Sequence, residues 1–160
     1  MKEVKYIPGD LVMTNGVPLG TAKDVVYRVT SSDPSKTLKL DDGTVLKGVV
    51  CLENIEGAEF GEKGYLFGDC CAWVKDIVAI PLTPEILEKN GWKKEMYHDW
   101  RHYIPLERTL LYLSRGIDRY RDGAFDVCVG LDMSHIAYIS FVHQLQHLFF
   151  SLNINYEVEV

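Results

Sequence analysis

Two histidines at helical spacing stand near the end of the chain, in "FVHQLQHLFF" at positions 141–150. In a helix, His143 and His147 lie one turn apart on the same side, which is a spacing zinc uses. The hydrolytic form of that motif, HExxH, needs a glutamate as general base. Position 144 is glutamine, which cannot take up a proton near neutral pH, so a metalloprotease site is excluded. A structural or adventitious metal at His143 and His147, with a third ligand from His98, His102, His135 or a cysteine, is the low-ranked alternative. No metal and no cofactor are expected.

A second concentration is "YHDWRHY" at 97–103. As a strand it sets His98, Trp100 and His102 on one side and Arg101 with Tyr97, Asp99 and Tyr103 on the other. Aromatic rings with Arg and His suit a polar ligand pocket or a protein contact, but a half-exposed strand with cross-strand aromatic pairs is the favoured reading. No nucleophile motif, dinucleotide fingerprint or phosphate loop occurs, so no catalytic residue is assigned and a non-enzymatic role is expected. The cysteines are Cys51, Cys70, Cys71 and Cys128. They lack the paired spacing of a four-thiolate zinc site and are expected as free thiols.

The 160 residues are 47% apolar and 25% charged, with a formal charge of −6. That suits a globular protein of one domain or two small ones. No apolar run approaches the roughly 18 residues of a membrane span, and the amino-terminal residues have no apolar signal region. A cytoplasmic protein is expected, with no membrane partner. The acidic balance speaks against a phosphate-led grip on nucleic acid. The densest basic stretch, "RGIDRYRDG" at 115–123, alternates with aspartates and reads as a solvated hairpin surface.

The elements that must position these residues change character near position 80. Residues 1–80 read as β: "GDLVMTNG" (9–16), "KDVVYRVTSS" (23–32), two alternating runs around Asp41-Asp42-Gly43 (36–50), and "AWVKDIVAI" (72–80). Asp-Gly favours a tight hairpin because glycine tolerates positive φ. A small antiparallel barrel or curled sheet of SH3-like type is expected, interrupted by a long loop at 51–71. Residues 81–160 read as helix, strands, helix. Thr83 is an N-cap, Pro84 suits the first helical position, and Asn90-Gly91 ends a helix over 84–90. Strands follow over about 96–130, with 108–117 alternatively a short helix, and a closing helix covers 139–152. The fold class is therefore α+β.

At ~100° per residue, Tyr138, Phe141, Val142, Leu148, Phe149 and Leu152 fall within about 60° of Leu145, which defines a core stripe. His143 and His147 fall about 160° away, on the outer side, and Ile139 and Phe150 lie on the His143 flank. That outer side is expected to be covered by the first domain or by a protein partner, including a second copy of this chain, or else exposed. The residues expected to make partner or ligand contacts are thus His143, His147, Phe150, His98, Trp100, Arg101 and His102.

"IPLTPEILEKNGW" at 80–92 and "ISFVHQLQHLFF" at 139–150 resemble a group of proteins from gut anaerobic bacteria, often encoded near prophage or other mobile elements. In that group a barrel-like part leads into IPLT-x-E-x-L-x-x-x-G-[FW], and a helix with VHxLQxL closes the chain. This chain departs in having Phe141 where the group has tyrosine, and in longer insertions at 51–71 and 105–120. The resemblance implies architecture and a phage-like origin, and carries no activity. The leading expectation is an accessory binding protein acting through protein contacts. A small metal-dependent module or enzyme using His143 and His147 is the alternative, and nucleic-acid contact through the barrel is a third.

Overall fold

The computed structural model describes residues 6–55, 66, 70–115 and 124–160, with the backbone alone at 98–100. The chain divides into two compact units, Met1–Ile80 and Pro81–Val160. The described residues form a mixed α+β protein with two antiparallel sheets and two α-helices. Among the described residues no helix is long and apolar enough to cross a membrane.

The first unit holds β1 (Leu11–Thr14), β2 (Tyr27–Lys39), β3 (Val45–Asn54), β4 (Cys70–Trp73) and β5 (Ile77–Ala79), in the order β4-β3-β2-β1-β5. The Asp42-Gly43 turn joins β2 to β3, with Gly43 at φ +87° and its N–H donating to Leu40 O at 3.0 Å. Residues 27–39 form one strand where the sequence suggested two. A register shift between Asp33 and Thr37 absorbs Pro34, which has no N–H to give a ladder. Tyr27, Val29, Val50 and Leu52 face a core that also takes Tyr6, Val12, Leu66, Ala72 and Ile77.

Of the barrel and the curled sheet expected, the barrel is corrected: the sheet is open, because the edge strands β4 and β5 do not pair with each other. They have four and three residues. A 3-10 turn, Val74–Asp76, leads directly from one to the other. The loop expected at 51–71 is shorter at both ends, since β3 runs to Asn54 and β4 begins at Cys70. Of its interior, 56–65 and 67–69 lie outside the described residues.

The second unit begins with α1 (Pro84–Lys89), continues through β6 (Lys93–Glu95), β7 (His98–Pro105), β8 (Leu110–Arg115), β9 (Phe125–Val129) and β10 (Ser134–Ile139), and ends with α2 (Val142–Ser151). The strands form a meander in the order β10-β9-β8-β7-β6. Thr83 Oγ1 accepts the Ile86 N–H at 3.3 Å, and Gly91 takes φ +82° just past the C-cap Asn90. The run after Pro105 is strand β8 and not a helix. The "RGIDRYRDG" surface and its turn lie outside the described residues from 116 to 123.

The closing helix is shorter than the expected 139–152. Tyr138 and Ile139 belong to β10, where alternation buries Ile139 and leaves Tyr138 exposed. Gln144 fixes the start of α2: its Oε1 accepts the N–H groups of Ser140 at 2.7 Å and Phe141 at 3.1 Å. The residue that cannot serve as a general base is therefore a helix cap. The tail beyond α2 is pinned inside the unit. Asn90, 1% exposed, bonds Glu159 through both ends of its side-chain amide at 2.6 and 2.8 Å, and Tyr156 Oη donates to Asn90 O at 2.8 Å.

Candidate functional site

Strand alternation divides the second sheet into two chemically different faces. The registers align His102 with Leu113 and Val127, and Ile104 with Leu111 and Val129. Leu111, Leu113, Phe125 and Val127 are each at most 1% exposed, so this is the core face. The other face aligns Arg101, Ser114, Asp126 and Tyr138 in one row across four strands, and Tyr103, Tyr112, Cys128 and His135 in the next. A register shift between His135 and Ala137 keeps His135 and Tyr138 on the same side, with ring centroids 4.4 Å apart.

On this polar face Asp126, Cys128 and His135 converge. Asp126 and Cys128 stand two apart on β9, and His135 is the partner of Cys128 on β10. One ligand atom from each lies within 4.8 Å of the others. His135 Nδ1 is hydrogen-bonded to Asp126 Oδ1. The thiol is buried, whereas the imidazole is about half exposed, so the cluster opens outward through His135. Burial first, and then the Asp126 carboxylate, push the Cys128 thiol up; Arg101 pulls weakly the other way. Arg101 is itself held by Glu95 at 3.1 Å and by Ser114 Oγ at 3.3 Å.

The donor types are those a transition metal takes. Donors around one tetrahedral zinc lie about 2.0–2.3 Å from the ion and therefore about 3.3–3.6 Å from one another. Thiolate and carboxylate together balance the charge of a dication, and imidazole completes a mixed set of the borderline-soft kind that zinc prefers.

The residues singled out in the sequence do not assemble into one site. Arg101 lies on the polar face, but His102 lies on the core face, 1% exposed, with Nε2 3.2 Å from Glu88 Oε1. The side chains of His98 and Trp100 lie outside the described residues. His143 and His147 pack edge to face at 5.6 Å, and His143 also stacks on Phe141 at 5.8 Å. The side of α2 that carries the two imidazoles is covered at His143 and open at Phe150. His143 is 2% exposed and His147 half-buried, while Val142, Leu145 and Phe149 are buried on the opposite side. A helix covered on more than one side defeats a single-stripe reading. Tyr138 and Leu152, assigned to the core stripe, are 44% and 40% exposed. Phe150 stands 79% exposed.

Among the described residues only Asp126, Cys128 and His135 form a group of three potential ligands, so no third donor of that kind joins His143 and His147. The signal for this cluster was present in "FDVCVGLDMSH": an Asp-x-Cys alternation followed by a turn and a histidine. No protein-family model matches the chain, nor does any curated protein or solved structure.

Proposed function

We propose that this chain is a non-catalytic binding protein whose second unit holds a zinc-class ion through Asp126, Cys128 and His135. The observation that carries this reading is the convergence of three chemically different donors within 4.8 Å on adjacent strands. Three protein ligands leave a fourth position for water or for an atom of a bound molecule. The half-exposed His135 is the side from which such a molecule would approach. The mobile-element origin, a cytoplasmic location and an SH3-like type for the first unit belong to the same proposal. The five-strand order with a 3-10 turn between the edge strands supports that type.

Zinc titration of protein made without a polyhistidine tag, against a chromophoric chelator, tests the metal reading. One equivalent is expected to bind. Cys128→Ser should weaken it by more than the roughly 10–100-fold that loss of an outer-shell partner costs. His143→Ala and His147→Ala should leave the affinity unchanged. Equal affinity in Cys128→Ser and the parent sinks the assignment.

The exposure of Phe150 favours a second reading, protein contact through the outer side of α2. Light scattering over a concentration series should then show association in the parent protein and a monomer for Phe150→Asp. A monomer throughout removes self-association.

A further inference from the structure

Three of the four cysteines lie in the first unit, and two of them are placed for chemistry with each other. Cys51 on β3 is the direct antiparallel partner of Cys71 on β4. Their sulfur atoms are 2.7 Å apart, both thiols are free, Cys71 is exposed and Cys51 half-buried. Directly opposed residues of antiparallel strands have Cα atoms about 4.5–5.5 Å apart, inside the range of about 4.4–6.8 Å that disulfides span. Bond formation therefore needs no movement of the backbone. Neighbouring Cys70 belongs to the other side of β4 by alternation, and its Sγ donates to Leu19 O at 3.4 Å.

We propose that Cys51 and Cys71 are a redox-active dithiol that closes reversibly to a cross-strand disulfide by exchange with a low-molecular-weight disulfide. The exposed Cys71, as thiolate, attacks one sulfur of the oxidant, whose S–S bond breaks and releases one thiolate. Cys51, as thiolate, then attacks the Cys71 sulfur of the mixed disulfide, and the second thiolate leaves. The two protons given up by Cys51 and Cys71 end on the two released thiolates. The protein has lost two electrons, and the oxidant has become two thiols. The bond ties the edge strand β4 to β3, the covalent equivalent of its ladder. None of the metal-site donors takes part, so the inference stands apart from the function proposed above.

The hydrogen bond with Cys51, and then burial, push the Cys71 thiol up, and desolvation does the same for Cys70. Attack requires thiolate, so mildly alkaline buffer speeds the test. The full chain is incubated with glutathione disulfide, alkylated under denaturing conditions and digested. Two of the four thiols should become unreactive, a Cys51–Cys71 cross-linked peptide should appear, and dithiothreitol should restore both thiols. In Cys51→Ser the reaction should halt at glutathione on Cys71. Four reactive thiols after oxidation, a cross-link through Cys70, or a glutathione adduct that persists on Cys71 in the unaltered chain would each overturn the proposal.

Discussion

Phe125→Ala should destabilise the second unit by about 3–5 kcal/mol. Phe125 is 1% exposed and starts β9, a strand with neighbours on both sides, paired to Arg115 and Ile139. Removing the ring discards its transfer free energy and leaves a cavity that the flanking ladders prevent from collapsing. Domains are stable by only about 5–15 kcal/mol, so the loss takes a large share of the total. Urea denaturation followed by a probe in the second unit measures it. The midpoint should fall with little change in slope, and a loss below about 1 kcal/mol would mean that this face is not packed as described. The substitution leaves Asp126 and Cys128 chemically intact on the opposite face, which separates its effect from that of the site variants.

Asn90→Ala should cost about 2–4 kcal/mol, because several hydrogen bonds to one buried side chain disappear together. Its amide donates to Ile86 O at 2.7 Å and Glu159 O at 2.6 Å, and its carbonyl accepts the Glu159 N–H at 2.8 Å. The same residue caps α1, so one side chain joins the end of that helix to the last residues of the chain. Asn90→Asp should be no milder, since a carboxylate cannot donate to the two carbonyls and would face them with like charge. Hydrogen exchange at the Glu159 amide reads the local effect, and it should lose protection in both variants. An unchanged amide would show that the tail is held by Val158 and Tyr156 without Asn90.

The tail illustrates how local signals stop short of tertiary structure. "NYEVEV" reads as polar, yet Val158 is 4% exposed and Tyr156 packs edge to face on Phe149 at 5.7 Å. Both ends of α1 were legible because Thr83, Pro84 and Gly91 act within a few residues of where they stand. The Asp42-Gly43 hairpin was legible for the same reason. Closure of the first sheet was not, because alternation sets which face a strand buries and says nothing about whether distant edges meet.

The candidate site failed to emerge for a related reason. Tyr138 and Ile139 fit a helical stripe as well as a strand, so β10 was absorbed into the following helix. Without β10, His135 had no register with Cys128. Asp126 and Cys128 could be placed on one face from spacing alone, but their third partner depended on a hairpin whose turn, Gly130 to Met133, carries positive φ at both ends. The attention drawn by His143 and His147 came from a true local spacing. In the structure His143 stacks on Phe141, and His147 packs edge to face on His143.

The claim at the centre of this account is that Asp126, Cys128 and His135 bind one metal ion together. Cobalt(II) substitution tests it most directly, because a thiolate bound to cobalt gives a charge-transfer band in the near ultraviolet and four-coordinate geometry gives intense visible bands. The account predicts both sets of bands at one equivalent, their loss in Cys128→Ser, and their retention in Cys51→Ser and Cys71→Ser. A parent protein without the charge-transfer band, or a Cys128→Ser variant that keeps it, would contradict the assignment.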